Sequence, residues 1–432
     1  MKLFQQMLVA GASLSLIAPL GASATDLVNI EEMNSYSRSN TKKSSRLDSK
    51  TFTNEISEDI VNLKGRVDEE NVQQNAFEAG MFSDTTTMDG KAIFTLGALD
   101  YDNVDASEAA MAFYSYTLNL NSSFTGDDNL YVRIKTGNAD DWADTKTYGT
   151  YLSSAKGNSD ALKVDKIWYQ FPIGENNTVW VGPKIENYYM HGATPSIYKP
   201  VTKQFTLGGN GNAYGASTDT GFGWAYQADN GFSISSNIGT KSHSSVEDAN
   251  ENYIATGLLT DQTKTSWATQ VGYTDPQYSI SAIVNVKSNG WSDSYYKAGD
   301  INGDAEANSQ YTAVGLRGWW RPENTGTNIP SISLGLDYTE YDASSGQSGA
   351  DAWFVGLNWQ DIFNPDDRIG AAFGQPTRNE SSDVTPFAYE LYYSFKANDS
   401  VTMTPTIFGG SDRNGVAGED VMGAVFETTF KF

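Results

Sequence analysis

The chain has 432 residues, carries 53 Asp+Glu against 29 Lys+Arg for a net charge of −24, contains 40 Gly and no Cys, and is 12 % aromatic. That balance excludes a nucleic-acid partner, which needs a basic footprint. The lack of Cys excludes a disulfide framework, a thiol nucleophile and a thiolate metal site. The two histidines, His191 and His243, lie far apart in sequence, so neither a His-rich metal centre nor a catalytic triad is expected, and no cofactor is implied.

Residues 1–24 read as a secretory signal. Lys2 supplies the positive start, Met7 to Ala18 is apolar and small, and Ala22-Ser23-Ala24 offers a cleavage site. The apolar stretch is too short for a membrane anchor, and Pro19 follows it. Residues 25–53 are rich in Ser, Thr, Asn and Lys without apolar periodicity and read as a flexible linker. Over 54–84, Ile56, Ile60, Leu63, Val67, Glu70, Gln74, Phe77 and Met81 recur at spacings of four and three, the seam of a coiled coil. Glu70 and Gln74 are polar, and Gly65 weakens the helix by about 1 kcal/mol. A solvated helix leading into the next domain stays open beside a short coiled coil joining identical subunits.

Residues 85–432 follow a period of two. Ile332, Leu334, Leu336 and Tyr338 alternate with Ser331, Ser333, Gly335 and Asp337; Trp353, Val355, Leu357 and Trp359 alternate with Ala352, Phe354, Gly356 and Asn358. Such alternation fits a soluble sandwich with its polar face outward or a membrane barrel with its apolar face outward, and periodicity does not separate them. Loop lengths do. Sixteen predicted strands are joined by long connections near 137–163, 185–220, 240–264 and 288–309, and by short ones at 175–177, 230, 274–276 and 397–399. Long loops alternating with short turns are the signature of an outer-membrane barrel. The predicted fold is therefore all-β: a 16-stranded antiparallel transmembrane β-barrel with a short N-terminal coiled-coil helix. At that size the interior stays an aqueous channel. The chain ends on a strand with Phe426, Thr428, Phe430 and Phe432 on one face. Phe430 and Phe432 resemble the terminal signal of outer-membrane barrels, which implies recognition by the barrel assembly machinery.

Leu63-Lys64-Gly65-Arg66-Val67-Asp68 with Ala92-Ile93-Phe94 is similar to the coiled coil and first strand of cyanobacterial outer-membrane porins. So are Thr194-Pro195-Ser196-Ile197-Tyr198-Lys199-Pro200 through Phe205-Thr206-Leu207-Gly208-Gly209, Asn364-Pro365-Asp366-Asp367 leading to Ala372-Phe373-Gly374-Gln375-Pro376, and Thr385-Pro386-Phe387. The resemblance runs from about residue 56 to the end, to a group often called iron-uptake porins and related to the carbohydrate-selective porins. It implies a homotrimer in outer-membrane lipids that passes inorganic ions and small polar solutes, with no enzymatic activity. Members usually carry an S-layer-homology module between signal and coiled coil; residues 25–53 are too few and too polar to hold one, which leaves wall anchoring open although the coiled coil is retained.

If the apolar face points to lipid, Arg133, Lys135, Lys166, Lys287, Arg317 and Arg368 point into the lumen, against the acids Asp337, Glu390 and Glu427. The acidic whole chain predicts cation preference and the wall predicts anion preference. Charges beyond about 8–10 Å from the path are screened, so the wall should prevail. The 185–220 loop is the candidate fold-in constriction, with Tyr198, Lys199, Lys203 and Gln204 near the narrowest point; an external position at the trimer surface is the other reading. Tyr188, Tyr189 and Tyr198 in the constriction would suit sugar stacking. Gly208-Gly209-Asn210-Gly211 lacks the Lys-Ser/Thr of a phosphate loop and reads as loop flexibility. Asp300, Asp304 and Glu306 offer at most a weak surface Ca²⁺ site. A structural or receptor barrel with an occluded pore, and a sugar-selective porin, are the alternative functions.

Overall fold

The computed structural model describes residues 81–432, apart from 84, 103–108, 147, 210, 215–218, 243–244, 248–252, 292–309, 343–348 and 381. The signal, linker and nearly all of the coiled-coil segment expected from sequence, together with His243, Asp300, Asp304 and Glu306, lie outside the described residues. The strands in chain order are β1 (Met81–Ser83), β2 (Thr86–Tyr101), β3 (Met111–Ser122), β4 (Asn129–Gly137), β5 (Lys163–Ile173), β6 (Asn177–Ile185), β7 (Asp219–Gln227), β8 (Phe232–Thr240), β9 (Ser245–Glu247) and β10 (Tyr253–Ala255). They continue as β11 (Thr265–Thr274), β12 (Tyr278–Ser288), β13 (Tyr311–Trp320), β14 (Ser331–Tyr341), β15 (Gly349–Gln360), β16 (Arg368–Asn379), β17 (Phe387–Asn398), β18 (Val401–Ser411) and β19 (Val421–Lys431).

β2–β8 and β11–β19 each pair antiparallel with their neighbours. The ring closes through β19 on β2, with Lys431 opposite Lys91. These are the sixteen staves expected, and closure leaves no open sheet edge for lipid to meet. Two short pairings were not foreseen. β9 and β10 form a hairpin inside the 240–264 connection. β1 folds back onto the first residues of β2, so the last residues of the predicted helical segment are extended. The physical reason is that β2 begins before the end of β19 is reached, and the backbone groups of Thr86 and Thr87 take β1 as a partner.

Polarity across the wall is inverted relative to a soluble sheet. Trp267 (56 % exposed), Leu336 (57 %) and Ile280 (63 %) stand on the outside. Ser235, Gln270, Asn285 and Thr339 are buried on the inside. Water would punish that arrangement through every exposed apolar group, whereas hydrocarbon favours it. Parity therefore assigns wall residues to lipid or lumen wherever the ladder keeps its register. Phe94 and Phe430 pack 5.1 Å apart on the outer face, and terminal Phe432 stacks 5.8 Å from Tyr116. The Phe432 main chain closes two hydrogen bonds with Gly90.

Candidate functional site

The connection between β6 and β7 does not stay outside. Its residues bond to inward side chains of β8, β11 to β15 and β17, which only a loop lying inside the barrel can reach. The Gln270 amide of β11 donates to Ala193 O and the Tyr214 hydroxyl, and accepts from Ala193 N. From β12, Asn285 donates to Ala213 O at 3.0 Å and Lys287 Nζ to Asn212 O at 2.7 Å. From β13, Arg317 Nε donates to Leu207 O at 2.8 Å, while its Nη2 bonds Asp337 of β14 at 2.6 Å. Ser333 of β14 and Asn358 of β15 accept the amides of Tyr198 and Lys199. Glu390 of β17 accepts from the Tyr198 hydroxyl, Val201 N, Thr202 N and the Thr202 hydroxyl.

The glycines of this loop are not there for flexibility, which corrects the sequence expectation. The Gly208 carbonyl lies so close to Gly335 of β14 that any Cβ at 335 would overlap it, and a Cβ on Gly208 would lie 2.5 Å from Cδ of Arg317. Small residues on both sides let the loop backbone lie flat on the wall.

A second loop, between β4 and β5, also folds in; the sequence reading treated it only as long. Leu152 bridges Thr202, Ser153 N donates to Val201 O at 2.8 Å, and Lys203 N donates to Tyr151 O at 2.8 Å. Trp142 of this loop packs edge-on against Phe113 of β3 and near Phe408 of β18. The two loops thus brace one another across the lumen above a shared apolar cluster that includes Leu152, Val201, Phe205 and Phe354.

This packing divides the predicted site residues. Lys287, Lys166, Arg317 and Glu390 point inward, as parity requires, but are only 0 %, 1 %, 2 % and 2 % exposed. They are covered by the loop and hold it, so the expectation that they line the water path is corrected. Lys166 pairs with Glu186 at the loop's root, with its ammonium 4.9 Å from the Tyr189 ring centre. Tyr198 and Gln204 are likewise buried in the loop–wall packing rather than displayed at a narrow point. Tyr188 and Tyr189 stack on each other, and Tyr189 on Trp168. The three inward acids are engaged as well: Asp337 by Arg317, Glu390 by the loop amides, and Glu427 by the Ser154 hydroxyl.

The remaining inward cations keep some access: Arg133 and Lys135 on β4, Arg368 on β16, and Lys199 and Lys203 on the loop. Arg133 donates Nε to Asp165 at 2.7 Å, and Lys156 of the second loop reaches the other oxygen of that carboxylate at 3.3 Å. Lys203 comes within electrostatic reach of Arg133 and Lys146 as like charges, and of Asp165 as the opposite one. Burial first, then the two cations, pull its pKa down to about 8. Lys199 sits apart, beside Arg368.

Sequence reasoning missed Lys91, Lys156, Asp165 and Asp144. Lys91 could have been found by parity with Thr95. Asp165 could not, because a register shift in the β4–β5 ladder, between Arg133 and Ile134, turns it beside Arg133. His191, the described histidine, is half-buried with its ring edge-on to Tyr214, and desolvation pushes its pKa down to about 3.

No protein-family model matches the chain. It is similar, at 23 % identity over 422 residues, to an uncharacterized protein of Nostoc sp., covering 88 % of this chain and 71 % of that one. Among solved structures it is similar to OprB of Pseudomonas putida, at a TM-score of 0.58 and 11 % identity, over 84 % of this chain and 97 % of that one. It is also similar to an anion-selective porin from Comamonas acidovorans, at a TM-score of 0.53 and 10 % identity, over 81 % and 99 %. OmpT of Vibrio cholerae in its trimer form matches at a TM-score of 0.51 and 11 % identity, over 81 % and 99 %. The fold and the inverted wall define the class: a transmembrane β-barrel of the porin type, at home in an outer membrane.

Proposed function

We propose that the protein is an outer-membrane porin: a water-filled channel for passive diffusion of inorganic ions and small hydrophilic solutes, with a weak preference for anions. The observation that carries this reading is the division of the lumen. One side of the wall is taken up in holding the in-folded loop, and the partly exposed charge beside it, on β4 and the loop faces, is mainly basic. Fixed charge in a confined passage with low-dielectric walls concentrates counter-ions there and excludes co-ions, so it sets selectivity more than the acidic exterior does.

The resemblance in the loop and terminal segments supports assignment to the cyanobacterial iron-uptake type of porin. The trimer form of OmpT supports a homotrimer, with residues 54–84 as a coiled coil joining the subunits. Phe430 and Phe432 would then serve as the signal to the assembly machinery. Planar-bilayer recording with the purified protein across a KCl gradient tests the channel reading. Stepwise conductance with a zero-current potential of the anion-selective sign is expected. A cation-selective sign would overturn the anion preference. A closed barrel with no current would favour a structural or receptor role, which the bracing of the two loops permits.

A further inference from the structure

We propose that Arg133, Lys135, Lys156 and Lys203 form a discrete binding site for divalent tetrahedral oxyanions, such as sulfate or phosphate, inside the lumen. This rests on the channel reading above and names the solute class that the basic side would retain. The four cations come from three different elements, the β4 wall and the two in-folded loops. Bracing of the loops through Leu152 and Thr202, and through Tyr151 and Lys203, brings them together. Lys135 is within electrostatic reach of Arg133, Lys203 and Lys156. The facing acids are Asp165, shared by Arg133 and Lys156, and Asp144, which accepts the Gly157 amide at 3.0 Å and is pushed toward its neutral form by burial. The loop cation Lys146 also faces Lys203. Among the described residues named here cations outnumber acids, and Lys166 close by pairs with Glu186.

The attraction of such a cluster scales with the charge of the solute, and it is least screened where walls exclude bulk water. A chloride ion feels half the pull of a sulfate and passes; a sulfate dwells. A divalent oxyanion should therefore compete with the chloride current through the same passage. Guanidinium and ammonium donors suit tetrahedral oxygens by both charge and hydrogen bonding.

The test is chloride conductance of the folded protein at constant ionic strength, titrated with sulfate and, in a second arm, with phosphate. Saturable block is expected. Lys135→Gln with Lys156→Gln should raise the half-blocking concentration by about three- to tenfold per charge removed. Lys156→Gln alone, in a loop, guards against loss of folding. Lys184→Gln, on the outer face opposite Ile167, should leave block unchanged. Sulfate keeps its charge from pH 6 to 9, so weaker block at pH 9 would report loss of the Lys203 ammonium rather than a change in the solute. Chloride conductance without saturable block, or block indifferent to the double substitution, overturns the site while leaving the channel standing. A barrel with no current in any salt overturns both.

Discussion

Glu390 on the wall and Thr202 in the loop are joined twice through one carboxylate oxygen, which accepts both the Thr202 amide at 2.7 Å and its hydroxyl. The other oxygen takes the Tyr198 hydroxyl and Val201 N. A side chain that parity offers as a pore acid is instead the clasp of the constriction. Its four acceptances are what a buried carboxylate needs to remain satisfied.

Replacing Glu390 with Ala should leave those loop donors without a partner, at roughly 1–3 kcal/mol for each that stays buried. The loop is then expected to leave the wall. Single-channel conductance should rise and become noisier, while Glu390→Gln, which keeps acceptor capacity at one oxygen, should fall between. Unchanged conductance in Glu390→Ala would show that the loop does not set the bore.

Arg317 and Asp337 form a buried pair beneath the same loop, with the guanidinium also 4.7 Å from the Tyr214 ring centre. Removing one partner strands the other charge, so Arg317→Ala should destabilise the protein by about 3–5 kcal/mol. Changing both to apolar residues of similar volume should be much milder. The temperature at which the folded band converts on a gel would check this order.

Selectivity should depend on pH through Lys203. Its pKa lies near 8, below the ordinary lysine value, because burial and Arg133 disfavour the ammonium. The ammonium is present below that point and is lost as pH rises through it, so anion preference should decline between pH 7 and 9. Lys203→Gln should remove this step. A zero-current potential flat across that range in the unsubstituted protein would refute the assignment.

Two short turns at the same barrel end share one device. Asp128 accepts the Tyr169 hydroxyl, the amides of Thr125 and Phe124 and the Ser123 hydroxyl. Asp367 accepts the amides of Ile362, Phe363 and Asn364 and the Tyr393 hydroxyl. The Tyr169 bond and the main-chain bonds hold the Asp128 carboxyl low; at Asp367 burial pulls upward, but the bonds from Asn364 and Tyr393 outweigh it. A lowered carboxyl pKa gives stability that is complete above the unfolded value near 3.9 and is lost as pH falls through the folded one. Asp128→Asn and Asp367→Asn should therefore lower the conversion temperature at pH 7, with the gap to the parent protein narrowing as pH falls below the unfolded value near 3.9. Equal temperatures at pH 7 would show that the turns do not need the charge.

Truncation of Phe432 should lower the yield of folded barrel, because it removes the ring stacked on Tyr116 and the main-chain bonds to Gly90. The readout is the heat-modifiable fraction recovered from membranes. An undiminished fraction would show that closure does not depend on the last residue.

The sequence by itself determined the staves, their number and their facing. Alternation such as Leu334, Leu336 and Tyr338 against Ser333, Gly335 and Asp337 is a local property of a strand, and a period of two assigns each side chain to one face whatever the rest of the chain does. The even count and alternating loop lengths then made closure the consistent solution. What the tertiary structure alone decided is which inward charges meet water. Arg317 and Lys287 have the same parity as Arg133, and the first two differ from it because main-chain carbonyls of the in-folded β6–β7 connection, those of Leu207 and Asn212, sit directly on them, while Arg133 keeps partial exposure beside Asp165. That choice depends on contacts more than a hundred residues apart, such as Leu207 with Arg317 and Thr202 with Glu390. No periodicity encodes them, because they arise from the fit of one irregular backbone to one curved wall.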